Sequence, residues 1–270
     1  MSDSSLAVAV VALRAAGCVF AEEEAVVLGA AASTDDELST LVRRRATGEP
    51  LEQVVGYADF CGVRVRLRPG VFVPRVRSEL LVRLGAEAAQ RPMGGGGRPV
   101  VVDLCCGSGA LGMALAARVP EAVVYAADSE SAAVACAREN LIDRVYQGDL
   151  YAALPVDLRG QLGVLLANVP YVATGHIPLL PAEARDYEPH RALDGGPDGL
   201  DVFRRVVAGA PHWLAPGGVM LSEITEAQIE PATAAVTGAG LEPEVSYDDD
   251  LEAIVMVGRR PGIPAVDQLR

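Results

Sequence analysis

Apolar positions recur with helical spacing over residues 6–45, in stretches rich in Ala, Val and Leu that break near Gly17 and at Ser33-Thr34. Ser33 or Thr34 followed by Asp35, Asp36 and Glu37 reads as a helix start with acids in its first turn. A small bundle of about three helices is predicted, ending at Gly48-Glu49-Pro50. The period then changes to two. Residues 54–60 and 63–67 read as strands, with Val63, Val65 and Leu67 alternating against Arg64, Arg66 and Arg68. Pro69-Gly70 is a turn, residues 71–75 are extended, and Ser78-Glu79 starts a helix to about Gln90.

After the glycine run at residues 94–97, strand and helix alternate. Strands are predicted at 100–104, 122–127, 145–149, 162–167, 218–223, 242–247 and 253–257, with helices at 111–118, 131–141, 200–213 and 228–237. This rhythm implies an α/β fold with a mostly parallel sheet covered on both faces. The chain divides into a helical unit at 1–50, a β-hairpin connector at 51–75 and an α/β domain at 76–270, with an irregular tail after Arg259.

Candidate chemistry lies where these strands end. The first ends in Asp103-Leu104-Cys105-Cys106-Gly107-Ser108-Gly109 and leads into a helix. Glycines at such a turn let a ligand approach the backbone. Asp128 closes the next strand, where an acid can accept hydrogen bonds from a ribose diol, and Asp149 follows the third, where an adenine edge would lie. S-adenosyl-L-methionine and a dinucleotide both fit this loop; Gly107, Gly109 and Gly112 have the dinucleotide spacing but come late relative to the strand. The fourth strand runs into Asn168-Val169-Pro170-Tyr171. A planar amide nitrogen is a poor nucleophile, and an enzyme assists it by accepting hydrogen bonds from its N–H groups. The Asn168 side-chain carbonyl and the Val169 backbone carbonyl are such acceptors, and Tyr171 can pack flat against the group. The work required is positioning and electrostatics, with no metal and no covalent intermediate.

Composition narrows the partners. The chain has 270 residues, a formal charge of −13 and 50% apolar residues of which few are aromatic, so the core is built from Ala, Val and Leu. A surface this acidic disfavours direct nucleic-acid binding. Arg43, Arg44 and Arg45, like Arg64, Arg66 and Arg68, read as solvated charge, while Glu183, Asp186 and Glu188, in the long Pro-rich stretch beyond the reacting loop, read equally as solvated acids or as part of a lid or binding loop. Five cysteines in no zinc pattern read as reduced thiols, and the scattered His176, His190 and His212 suggest no metal site. The start at Met1 to Ser5 lacks the basic residues of a signal peptide, and no apolar run is long enough to span a membrane. A cytoplasmic location is expected.

The residues together resemble the HemK/PrmC protein-(glutamine-N5) methyltransferases, which modify the Gly-Gly-Gln glutamine of class I peptide-chain release factors. The similarity extends over nearly the whole chain. It rests on Arg45 to Pro50, Gly56-Tyr57, Phe60-Cys61-Gly62, the Pro74-Arg75 and Ser78-Glu79 segment, Asn168 to Tyr171, Tyr187-Glu188-Pro189, Ala192-Leu193, Gly195-Gly196, Asp198-Gly199-Leu200 and Leu214 to Gly218. The resemblance implies a seven-stranded Rossmann-like methyltransferase sheet behind a small N-terminal helical domain that helps hold a protein substrate. It implies S-adenosyl-L-methionine as cofactor, with Asp103, Cys105, Gly107, Ser108, Gly109, Asp128, Asp149, Leu150 and Asn168 around it. Asn168, Val169, Pro170 and Tyr171 would carry the reaction, Phe72, Pro74, Arg75 and Glu79 would meet the substrate, and a release factor would be the partner. Val169 stands where the family usually has proline, Cys105 where the loop has its first glycine, Ser78 for threonine, and Arg77 where an acid is common. An amino-methyltransferase of a nucleobase or small molecule, and a binding protein that keeps the fold without catalysis, are the competing readings.

Overall fold

The computed structural model describes residues 3–91 and 97–262. Most of the glycine run, the first two residues and the tail from 263 lie outside them. The chain opens with three helices, α1 (Asp3–Ala15), α2 (Ala21–Ala31) and α3 (Asp35–Ala46). Thr34 caps α3 by accepting the Glu37 N–H at 3.1 Å, as its sequence position predicts. Leu13, Leu28, Leu38 and Val42 close a core of their own between these helices. Each such buried aliphatic side chain contributes about 1.5–3 kcal/mol.

The stretch around Val54 is a correction. It forms a single helical turn, α4 (Leu51–Val55), that Gly56 ends in the left-handed conformation at φ 81°. Pro50 is its N-cap residue, extended at ψ 136°, and its carbonyl accepts the Val54 N–H at 3.0 Å to close the turn. The antiparallel hairpin follows as β1 (Tyr57–Phe60) and β2 (Val63–Arg66), and α5 (Glu79–Ala89) leads to the sheet.

The α/β unit comprises β3 (Val100–Leu104), α6 (Ala110–Arg118), β4 (Val123–Asp128), α7 (Ser131–Leu141), β5 (Val145–Gln147) and β6 (Leu162–Ala167). After two short helices, α8 (Ala182–Tyr187) and α9 (His190–Leu193), come α10 (Asp201–Trp213), β7 (Leu214–Glu223), α11 (Ile229–Gly238), β8 (Glu242–Asp248) and β9 (Ala253–Arg259). The sheet order is β5-β4-β3-β6-β7-β9-β8, and its antiparallel pairings are β7 with β9 and β9 with β8. β6 is buried along its whole length, as expected of a central parallel strand. Val164 and Leu166 face the layer of α5 and α6, while Leu165 and Ala167 face that of α10 and α11. Trp213 packs in the second layer, its ring stacked 5.5 Å from that of Tyr151. No helix among the described residues is long and apolar enough to cross a membrane.

This topology fixes where a ligand can sit. The chain leaves β3 toward β4 and β5, then returns to pair β6 on the other side of β3. The loops after β3 and β6 therefore diverge, and they open a crevice at the carboxyl ends of the strands.

Candidate active site

A cleft of about 1040 Å³ occupies that crevice. It brings together Cys105, Gly107, Ser108, Asp128, Asp149, Leu150 and the whole Asn168–Tyr171 loop, residues that arrive from four strand ends. Phe72, Pro74 and Arg75 form part of its wall.

Three of the expected site residues lie elsewhere. Asp103 is fully buried beneath the glycine turn, where its Oδ2 accepts the Gly112 N–H at 2.9 Å and its Oδ1 has no partner. Burial pushes its carboxyl up to about 8. Gly109 starts α6 at φ 78°, and a Cβ there would stand 3.2 Å from Ala137, so this glycine serves helix packing. Glu79 is the first residue of α5 and does not line the cleft; its acid suits the positive end of the helix.

The turn itself is tightly held. Cys105 and Gly107 both have positive φ, 58° and 54°. For Cys105 the left-handed region costs about 1–2 kcal/mol that glycine would not incur. Cys105 and Cys106 pack into different apolar clusters, and burial raises both thiols, which keeps them unreactive. Asp128 accepts the Gly107 N–H through Oδ2 and the Glu130 N–H through Oδ1, each at 2.9 Å. It thus braces the turn that it faces and keeps further lone pairs for ribose hydroxyls. Burial raises its carboxyl above the ordinary range. Asp149 is exposed and held by Arg205 of α10 at 2.5 Å; Arg205 also lines the cleft.

The reacting loop is fixed from several sides. Asn168 Nδ2 donates to Ser78 Oγ at 3.1 Å, while Asn168 Oδ1 is buried with no partner. Val169 is buried in the core with its side chain among those of α10 and β7. Tyr171 Oη donates to Glu223 Oε1 at 2.6 Å and receives Arg77 Nη2 at 2.6 Å. Behind the loop, a Cβ on Gly195 would come 2.6 Å from the Pro170 carbonyl, and one on Gly199 would come 2.2 Å from that of Tyr171. Those two glycines allow the Asp194 to Leu200 segment to lie against the loop backbone.

Several charged residues outside the reacting loop turn out to be joints. Glu188 Oε1 accepts the Val73 N–H at 3.1 Å and Oε2 accepts Arg75 Nη2 at 2.6 Å, which ties the two cleft walls together. Arg45 is buried, bidentate to Glu24 at 2.6 and 3.0 Å, and reaches Glu183 at 2.5 Å. Arg44 is similarly paired with Glu49. Asp186, by contrast, is exposed beside Arg185. Arg64 pairs with exposed Asp59, and exposed Arg68 with half-buried Glu139. Glu223 is the residue that sequence reasoning missed: an acid at the carboxyl end of a strand, as Asp103 and Asp128 are, was the available signal.

Sheet order, glycine turn and strand-end acid define the class as an S-adenosylmethionine-dependent methyltransferase fold. The family described as "Methyltransferase small domain" matches residues 67–178. The ribosomal protein L11 methylase of Lactobacillus delbrueckii subsp. bulgaricus has the same fold, with a TM-score of 0.51 and 19% identity over 73% of this chain and 85% of that one. The release factor glutamine methyltransferase of Geobacter sulfurreducens is 36% identical over 195 residues, 70% of this chain and 66% of that protein. That of Burkholderia pseudomallei is 36% identical over 235 residues, 82% of this chain and 80% of its own length. The 4-amino-L-phenylalanine/4-methylamino-L-phenylalanine methyltransferase of Streptomyces pristinaespiralis is 39% identical over 196 residues, 67% of this chain and 63% of that one. The chain belongs to the release factor glutamine methyltransferase family.

Proposed function

We propose that this protein transfers a methyl group from S-adenosyl-L-methionine to the side-chain N5 of a protein glutamine, the Gly-Gly-Gln glutamine of class I release factors being the substrate. The observation that carries the reading is Asn168, which lines the cleft and whose side-chain oxygen is buried without a partner. An unsatisfied buried carbonyl costs about 1–3 kcal/mol, which a substrate N–H in that place would offset.

Bound S-adenosyl-L-methionine supplies a sulfonium-activated methyl group. Asp128 would accept from the ribose hydroxyls, the Gly107 turn would leave room for the methionine part, and Asp149 with Leu150, which line the same cleft, would meet the adenine. Asn168 Oδ1 and the Val169 carbonyl accept the two N–H groups of the glutamine amide and turn its nitrogen face toward the methyl. Tyr171 flanks the amide plane. The product proton leaves to water, and no side chain acts as a strong base. Phe72, Pro74 and Arg75 extend the wall on which the peptide around the glutamine would lie. The domain division at residues 50 and 75, with the helical unit as a docking element, is part of this proposal.

Labelled cofactor and purified release factor test it. Label should enter the wild-type factor and be absent when the Gly-Gly-Gln glutamine is changed to alanine. Equal labelling of both, or none, would sink the substrate assignment. A second reading, methylation of a small aromatic amine, is favoured by the 39% identity to the Streptomyces pristinaespiralis enzyme. The same oxygen could accept from an arylamine N–H, and 4-amino-L-phenylalanine in a parallel incubation separates the two.

A further inference from the structure

The side-chain amide of Asn168 has nearly the same shape in either orientation, but one presents an acceptor to the cleft and the other presents donors. Its usefulness depends on which end faces the substrate. The surrounding hydrogen bonds decide this, and they run in one direction.

Glu223, the last residue of β7, is 2% exposed and acts as the sink of the network. Its Oε1 accepts from Arg77 Nε at 2.7 Å and from Tyr171 Oη at 2.6 Å. Arg77 Nη2 also donates to Tyr171 Oη, so the phenol proton is directed onto the carboxylate. Its Oε2 accepts from Ser78 Oγ at 2.8 Å. Ser78 has a single hydroxyl proton and that bond takes it. Toward Asn168 the serine oxygen can only accept, and the 3.1 Å contact must be to an N–H. The amide nitrogen is thereby turned to Ser78, and Oδ1 is the end left without a partner, buried on a residue that lines the cleft.

We propose that Ser78 and Glu223 are positioning residues that set the polarity of the Asn168 amide, with Arg77 and Tyr171 holding the carboxylate in place. As a statement about catalysis this rests on the reading of Asn168 as acceptor for a substrate N–H. As a statement about the amide it rests on the network alone. Reversing the chain at either link would present N–H to N–H at the reacting nitrogen. The relay also gives Arg77 a role: its guanidinium offsets the Glu223 charge, which burial would otherwise penalise.

The test uses the full-length protein with Ser78→Ala, Ser78→Thr and Glu223→Gln. The amide introduced by Glu223→Gln can donate to Ser78 and so permit the opposite polarity. Two readouts are taken. One is turnover on release factor beside cofactor affinity by calorimetry. The other is hydrogen exchange of the Asn168 side-chain ¹⁵N–H₂ signals, assigned by their loss in Asn168→Asp. Ser78→Ala and Glu223→Gln are expected to lower kcat by roughly 10- to 100-fold, as for a misplaced reacting group. Cofactor affinity should hold within about threefold, the range for substitutions outside its contacts. Ser78→Thr, which keeps the hydroxyl, should restore turnover. Exchange at Asn168 should be accelerated in Ser78→Ala and in Glu223→Gln, and unchanged in Ser78→Thr. Equal kcat in the alanine and threonine variants, or unchanged exchange in Ser78→Ala, overturns the proposal. If the wild type leaves release factor unlabelled, the substrate assignment fails, and the exchange data alone decide the polarity.

Discussion

Gln228 donates through Nε2 to the Tyr171 carbonyl at 2.9 Å and to the Asp198 carbonyl at 3.0 Å, so one buried side chain binds the reacting loop to the glycine-rich segment behind it. Its Oε1 accepts the Thr225 N–H at 3.0 Å, which anchors it at the start of the following helical turn. The loop is therefore rigid without the proline that Val169 replaces. Its conformation is held by hydrogen bonds from outside rather than by a ring within it.

Two substitutions examine that brace. Gln228→Ala leaves two carbonyls without their donor and should cost about 1–3 kcal/mol in urea unfolding. Gly199→Ala adds a Cβ at φ 77°, 2.2 Å from the Tyr171 carbonyl, and should cost more than about 1 kcal/mol while lowering kcat. Wild-type stability and turnover in both variants would mean that the loop is held some other way.

Asn168→Ala removes the free acceptor and leaves the cofactor cleft otherwise intact. Turnover should fall by roughly 10²- to 10³-fold, the usual cost of losing one preorganised polar contact to a reacting group. Calorimetry should find cofactor affinity little changed. A variant with near-normal kcat would refute the role given to this residue.

Arg45 and Glu24 are a buried ion pair, and such a pair is costly to halve. Arg45→Ala strands a carboxylate inside the helical unit and frees Glu183 of α8, for an expected loss of about 3–5 kcal/mol. Replacing both members with methionine should recover much of that, because the desolvation of both charges disappears. Chemical denaturation of Arg45→Met, Glu24→Met and the double methionine variant measures the coupling. Strict additivity would show that Arg45 and Glu24 do not act as a pair.

The contrast between Asn168 and Glu223 marks what the sequence could reveal. The strands carry long apolar runs between polar ends, so β3 and β6 and the residues that close them were legible in order. Asn168 and Asp128 stand out because a short motif surrounds each. Glu223 has no such motif, and its importance comes from Ser78, 145 residues away in the chain, and from Tyr171, 52 away. The role of Arg45 was hidden for the same reason: a charged residue reads as solvated until the fold supplies a partner and removes the water. For Glu188, a solvated acid and a binding-loop residue read alike until Val73 and Arg75 are placed beside it. Asp103 erred in the other direction. Its place in the glycine loop suggests cofactor contact, but the side chain points under α6 and serves the turn.

Asp103 also makes a prediction about pH. Its carboxyl is pushed up to about 8 because burial disfavours the charge, with the Gly112 N–H opposing that effect and the Asp128 charge adding to it. In the unfolded chain an aspartate titrates near about 3.9. Between these values the native protein keeps a proton that the unfolded chain has lost. Unfolding then releases a proton, and stability falls as pH rises from about 4 toward 8. Below that window both states are protonated and the contribution is flat. Asp128 and Glu188, also raised by burial, act in the same sense. Asp103→Asn keeps an acceptor for Gly112 and has no proton to lose. Cofactor-free protein should therefore lose more stability between about pH 5.5 and about pH 8.5 as wild type than as this variant. Urea unfolding at the two pH values measures the difference, and parallel declines would show that Asp103 is already ionised in the native protein.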